Sequence, residues 1–204
     1  MQYSSELVGR IEASPTKKLK PIKQALLAQQ VQLIDFADGE PELGISNETR
    51  EAIAKSLKEG HYKYSAAQGS QPLLRTIAEI RHVPIDNIVI GYGVKHLFYS
   101  LLQTYCDPGD AILMLQPNWM IYAQQAKALG ISVTNCPVRN GSFDIDFDLL
   151  EKLLAENPNI RLIVTSTPNN PTGKCLSQKE KQQLLEIASK KELLLVLDEV
   201  FRDL

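Results

Sequence analysis

The sequence predicts an α/β fold built on a mostly parallel sheet. Three observations carry that expectation. From residue 88 onward, short aliphatic runs alternate with amphipathic helical stretches. Turn-rich segments separate them, among them Gly91-Tyr92-Gly93, Asp107-Pro108-Gly109-Asp110 and Thr167-Pro168-Asn169-Asn170-Pro171-Thr172-Gly173. The intervening stretches are long enough to be crossover helices, and strand–helix alternation of this kind implies right-handed parallel connections.

Residues 1–35 read as an amino-terminal arm and the start of a small domain, and residues 36–204 as a larger domain. In the arm, Lys17, Lys18, Lys20 and Lys23 surround Pro15 and Pro21, and a helix is expected to begin after Pro21 and run to about Gln30. Its lysines are a solvated face. The run Ala37-Asp38-Gly39-Glu40-Pro41 is a turn cluster in a connection. A helix follows with Ser46 as its cap, Ile53 and Leu57 on one face and Gly60 just past its end. Another starts near Pro72 and carries Leu73, Leu74, Ile77 and Ile80.

Ile88-Val89-Ile90 is expected to be a short strand ending in Gly91-Tyr92-Gly93. The next helix places Val94, Leu97, Phe98, Leu101, Leu102 and Tyr105 on one apolar stripe. Asp107-Pro108-Gly109-Asp110 turns the chain into a strand over 111–115. A helix over about 119–129 stops at Gly130, and 131–138 is the next strand. A short helix over 146–155 and a strand over 161–166 follow. Ser177 and Glu180 form a capping box for a helix running to about Lys191. The run Leu193–Leu197 then delivers Asp198 and Glu199 to its carboxyl end.

Composition excludes several classes. A formal charge of -2 over 204 residues leaves no basic footprint for nucleic acid and no polybasic membrane patch. No stretch approaches a membrane span, and the amino terminus lacks the apolar run of a signal peptide. Cys106, Cys136 and Cys175 are isolated, without the spacing of a zinc site or a disulfide framework. A cytoplasmic protein is the expectation.

Four features suggest chemistry. Gly91-Tyr92-Gly93 lies between a strand and a helix, where unpaired N–H groups and the helix dipole favour an anion; no third glycine follows to make a dinucleotide fingerprint. Asp198 ends a run of five aliphatic residues, where a lone aspartate is usually a cap or turn residue. Asn170 sits between prolines in Thr167-Pro168-Asn169-Asn170-Pro171-Thr172-Gly173, where it is ordinarily a turn residue. Trp119, the single tryptophan, is ordinarily core. All four follow different strands at one sheet edge, and ligands of open α/β sheets lie in the crevice at the carboxyl ends of strands.

In that order and spacing the chain resembles the fold-type-I, pyridoxal-phosphate-dependent enzymes, class I/II aminotransferases in particular. The resemblance runs from Gly39-Glu40-Pro41 through Tyr64, Gly69, Leu74-Arg75, Asp107-Pro108-Gly109-Asp110, Pro117-x-Trp119 and Asn170-Pro171-Thr172-Gly173 to Asp198-Glu199. It implies a three-layer α/β/α domain, pyridoxal phosphate as cofactor, an amino acid and a 2-oxo acid as substrates, and a homodimer or a complementing chain. It also implies roles. Gly93, Val94 and Lys95 match the helix start whose amides hold the cofactor phosphate. Trp119 matches the aromatic that stacks on the pyridine ring, Asn170 the amide that binds the phenolic oxygen, and Asp198 the carboxylate that pairs with the ring nitrogen. Tyr64 matches a tyrosine that reaches the phosphate of the neighbouring subunit, and Gly39 lies where the substrate carboxylate passes the backbone.

Two positions depart from the family's pattern. Phe201 stands where a tyrosine hydroxyl is usual, and Val94 where a small residue is usual. The family's cofactor-linking lysine and its carboxylate-binding arginine match no residue of this sequence. The expectation is therefore an amino-terminal portion with an incomplete sheet, inactive alone. The alternatives are a lyase or synthase with the same cofactor site, a non-catalytic remnant, or half of a split enzyme.

Overall fold

The computed structural model describes residues 5–12, 15–36, 39, 44–60 and 64–203. Most of the turn cluster around Gly39, including Glu40 and Pro41, lies outside the described residues. The chain divides into two units, Ala13–Gly91 and Met1–Glu12 with Tyr92–Leu204.

The unit Ala13–Gly91 is helical. Because α1 (Glu6–Gly9) belongs to the other unit, its first helix is α2 (Pro15–Ala28). It begins at Pro15, ahead of the expected start after Pro21, at a proline whose fixed φ suits a first helical position. Pro21 is carried inside it, where proline forfeits one backbone hydrogen bond. In α3 (Asn47–Lys58) the Ser46 hydroxyl accepts from Thr49 N as expected, and Gly60 follows with φ 78°. The next helix, α4 (Gln71–Arg81), takes Pro72 in its first turn and buries Leu74 completely. Ile88–Ile90 is not a strand. It is extended backbone after a single 3₁₀ turn (Ile85–Asn87), and Ile90 N donates to Gln68 O. A short aliphatic run becomes a strand only when a neighbour takes up its hydrogen bonds, and none of the described strands pairs with this one. Gly69, at φ 131°, lies so close to this segment that a Cβ there would stand 2.4 Å from Ile90 Cγ1.

The other unit holds the sheet. Its elements in order are α1, α5 (Val94–Tyr105), β1 (Ala111–Gln116), α6 (Ile121–Ala128), β2 (Ser132–Pro137), α7 (Phe147–Glu156), β3 (Ile160–Ser166), α8 (Gln178–Lys190) and β4 (Leu194–Asp198). The strands pair in parallel in the order β2-β1-β3-β4. From α5 to β4 each boundary lies within two residues of the sequence expectation, whereas α1 was not expected, and the Ser177–Glu180 capping box is present in both directions.

Alternation along β1 makes the layers. Ala111, Leu113 and Leu115 face a cluster with Leu150 and Leu154 of α7 and Leu184 and Ile187 of α8. Ile112 and Met114 face the opposite cluster, with Phe98 and Leu102 of α5 and Tyr122 and Ala126 of α6. The arrangement is three-layered, α/β/α, and both faces are buried along β1 from Ala111 to Leu115 and along β3 from Leu162 to Ser166. Cys136 belongs to this packing: burial pushes its thiol up to about 11, with the Asp146 charge adding to the shift. By contrast β4 pairs on one side only among the described residues and is half-buried over Leu194–Leu197.

Ile163 of β3 is fully buried between α7 and α8. Ile163→Ala is expected to lower unfolding free energy by about 2–5 kcal/mol, the range for emptying a large aliphatic side chain from a packed core. Urea unfolding followed by far-UV circular dichroism measures it; a loss well below 1 kcal/mol would show that the two layers do not share this core.

Candidate cofactor site

Parallel strands put their carboxyl ends along one edge, and the predicted residues of the sheet unit gather there. Helix α5 opens that edge. Its N-cap, Gly93, has φ 81°, a left-handed value that glycine adopts without strain, and no side chain caps the helix start. A Cβ built at Gly93 would meet nothing within 4 Å, so the ground before the first amides is open. Tyr92 N donates to His96 Nδ1 at 3.3 Å, which holds the turn from behind. Val94 turns its side chain onto the cluster of Phe98 and Leu102. The amides of Val94 and Lys95 are thus presented at the positive end of a twelve-residue helix.

The loop after β1 carries Trp119. Its ring is half-buried and meets Tyr122 edge-on, with centroids 5.6 Å apart at 89°. Lys95 Nζ lies 5.5 Å from the Trp119 ring centroid, which joins the α5 start to this aromatic. Tyr122 is itself edge-on to Phe98 at 4.9 Å and is 1% exposed. Its hydroxyl donates to Asp198 Oδ2. Burial first, then the hydrogen bond to Asp198 and its charge, raise the Tyr122 phenol far above its ordinary pKa. Tyr122 therefore stays a proton donor at any ordinary pH.

Asp198 is the last residue of β4 and is 8% exposed. Val200 N donates to its Oδ1 at 2.9 Å, and Tyr122 holds Oδ2. An ionised carboxylate has about four acceptor sites, so two partners leave room for a further donor. A buried acid with spare acceptor capacity, beside an aromatic face and near open helix amides, fits a flat cationic heterocycle bearing an anionic group. Phe201, half-buried after β4, adds no donor.

The loop after β3 brings Asn170. Ser166, buried at the end of β3, is in register with Asp198 across the β3–β4 pair. Its hydroxyl accepts from Asn170 N at 3.2 Å and from Asn169 Nδ2 at 3.2 Å, and donates to Asn118 Oδ1 at 2.9 Å. Thr167 N donates to Asp198 O at 2.9 Å. The loop closes on itself where Asn169 Oδ1 accepts from Thr172 N and Thr172 Oγ1.

Gly93, Val94, Lys95, Trp119, Asn170 and Asp198 are thus linked at one edge by a chain of contacts. Gly39 and Tyr64 belong to the other unit, where both are exposed. Tyr122, Ser166 and Asn118 escaped the sequence reading. Tyr122 carried a usable signal, since it lies three residues beyond Trp119 in the first turn of a helix. Ser166 carried little, because a serine ending a strand is common. Among the described residues no cluster of His, Cys, Asp or Glu is arranged to hold a metal, and no helix is long and apolar enough to cross a membrane.

Lys174 ties this loop to its surroundings: its Nζ is 2.6 Å from Asp144 Oδ1 and 3.5 Å from Glu180 Oε1. The hydrogen bond from Lys174, with that from Ser142, holds the Asp144 carboxyl below its usual range and raises the lysine. Burial pushes Glu180 up, but hydrogen bonds from Ser177 and the Lys174 charge outweigh it and leave it lowered. Lowered acids stabilise the fold above their unfolded values, about 3.9 and 4.3, and lose that contribution as pH falls through the folded ones. A raised lysine stabilises below about 10.4 and loses that contribution as pH rises through its folded value. The urea midpoint of the wild type should therefore exceed that of Lys174→Met by a constant margin between about pH 6 and 9 that shrinks below about pH 4. A margin unchanged from neutral pH into that acid range would remove the cluster from the account.

Comparison with known proteins identifies the family and the fold. Residues 31–204 match the family described as aminotransferase class I and II. An aspartate aminotransferase of Sulfurisphaera tokodaii is 30% identical over 185 residues, covering 88% of this chain and 46% of that protein. One of Bacillus subtilis is 29% identical over 205 residues, covering 97% and 51%. In three dimensions the chain is similar to the aspartate aminotransferase of Thermus thermophilus with maleate. The TM-score is 0.90 at 26% identity, over 98% of this chain and 54% of that one. The chain spans about half the length of the relatives it matches. By its match over residues 31–204, the chain belongs to the class I and II aminotransferases.

Proposed function

We propose that this chain is the cofactor-binding part of a pyridoxal-phosphate-dependent aminotransferase, which moves an amino group from an amino acid to a 2-oxo acid. The observation that carries the reading is Asp198: a buried carboxylate, aimed by Tyr122 and the Val200 amide, with acceptor sites to spare beside Trp119. When bound, pyridoxal phosphate supplies a protonated pyridine ring that withdraws electrons from a substrate carbon as its proton leaves.

The chain's own residues hold and tune that ring. The amides of Val94 and Lys95, opened by Gly93, receive the phosphate; the helix dipole contributes about 0.3–1 kcal/mol there, and up to ~2 when partly buried. Trp119 offers a flat face to the ring. The Asn170 side chain meets the phenolic oxygen. Asp198 keeps the ring nitrogen protonated through a charge-assisted hydrogen bond of roughly 1.5–3 kcal/mol. Tyr122, which keeps its own proton, donates to Asp198 and does not compete as a base. Tyr64 reaches the phosphate of a second copy in a homodimer, Gly39 lies along the substrate carboxylate, and the enzyme works in the cytoplasm.

Because Trp119 is the single tryptophan, its emission reports the site. Pyridoxal phosphate should quench it saturably. Asp198→Asn, which keeps shape and removes the anion, should raise the midpoint about tenfold to a hundredfold. Borohydride reduction and peptide mass spectrometry then show whether any lysine of this chain takes up the aldehyde. No quenching, or quenching indifferent to Asp198→Asn, would sink the reading.

A further inference from the structure

The polar groups ending β3 form a network that the cofactor assignments leave without a task. Thr165, Ser166 and Thr167 are 3%, 3% and 4% exposed, three consecutive buried hydroxyls that follow the aliphatic run Leu162-Ile163-Val164. Burying a hydroxyl is unfavourable unless it is hydrogen-bonded. Ser166 is saturated: a hydroxyl has one proton to give and two lone pairs, and Ser166 gives to Asn118 Oδ1 and accepts from Asn169 Nδ2 and Asn170 N. Asn118 is engaged at both ends as well. Its Oδ1 also accepts from Trp119 N at 2.8 Å, and its Nδ2 reaches Thr165 Oγ1 at 3.4 Å. Asn169 Nδ2 also donates to Pro117 O at 3.2 Å, a second tie between the two loops.

The path Trp119 N–Asn118 Oδ1–Ser166 Oγ–Asn170 N crosses from the loop after β1 to the loop after β3 without entering solvent-exposed side chains. It joins the backbone amides of two residues assigned to opposite parts of one ring. Loop backbone is otherwise the least constrained part of an α/β site, and a shift of about 1 Å in a ring-holding group is enough to weaken a site severely.

We propose that Ser166, acting through Asn118, is a positioning residue that sets the spacing between the Trp119 ring and Asn170 and so fixes where the cofactor ring lies. The proposal deepens the cofactor reading and rests on it. Ser166 touches neither cofactor nor substrate; it determines how well two loops agree on one ring plane. Asn118 is the adapter, because its single amide oxygen accepts from both the Trp119 amide and the Ser166 hydroxyl.

The test uses the whole 204-residue chain and two readings of Trp119: its fluorescence anisotropy without cofactor, and its quenching by pyridoxal phosphate. Ser166→Ala should lower the anisotropy and raise the quenching midpoint about fivefold to tenfold, the consequence of losing roughly one buried hydrogen bond. Asn118→Ala should do the same. Ser166→Thr, which restores the hydroxyl, should return both readings to within about twofold of the wild type. If the added methyl prevents that, Asn118→Ala decides: the same paired loss supports the link, and wild-type readings overturn it. Wild-type anisotropy and midpoint in Ser166→Ala would overturn the proposal outright. So would a Ser166→Ala loss that appears only as a lower thermal midpoint, with Trp119 unchanged in the folded protein. A wild type that pyridoxal phosphate does not quench would refute the cofactor reading instead, and the cofactor-free anisotropies would still decide whether Ser166 holds Trp119.

Discussion

The structure depends on the parallel pairing of β1 between β2 and β3. A strand hydrogen-bonded on both sides and covered on both faces has no place for a polar side chain along its length. Ala111 to Leu115 are accordingly all apolar and buried. Polar groups are displaced to where the strands run out, and the parallel direction puts those ends on one edge. Thr165 and Ser166 on β3 and Asp198 on β4 are the buried polar residues of these two strands, all at their carboxyl ends. The site is in this sense a by-product of the sheet's direction: among the described residues the one buried acid, Asp198, lies at a strand's carboxyl end, the edge at which α5 begins.

Much of this was legible in the sequence because it follows from period and punctuation. The stripe on α5, the capping box before α8 and the aliphatic run before Asp198 each encode their element locally. Two of the misreadings have clear physical causes. Helix α2 starts at Pro15 because a proline in a first turn is a helix starter, while Pro21 inside the helix looked like one. Ile88–Ile90 looked like a strand because it is aliphatic, but pairing is a property of the neighbour and not of the run.

The candidate site was legible in its chemistry and not in its wiring. Trp119, Asn170 and Asp198 stand out as unusual residue types at strand ends. Their supports are ordinary types, a tyrosine in a helix's first turn, a serine ending a strand and an asparagine before a tryptophan, and they become meaningful only through contacts 76 and 48 residues apart in the chain. Sequence spacing cannot encode those separations. The sheet register does: Ser166 opposite Asp198 places the two hubs side by side.

Those two hubs solve one electrostatic problem in different ways. Asp198 is an acidic side chain buried at the end of an aliphatic strand, and its two oxygens accept from Tyr122 on one side and a backbone amide on the other. A fully satisfied carboxylate would be inert, whereas an unsatisfied one would be unfavourable to bury. Two donors leave it stable in the fold and still able to accept a third. Ser166 is neutral and has no capacity left, so it is suited to holding loops and not to binding a ligand. The difference between a residue that binds and a residue that positions is thus visible as unfilled against filled hydrogen-bonding capacity. By that criterion Tyr122, whose single proton is committed to Asp198, belongs with Ser166 among the residues that hold the site in shape.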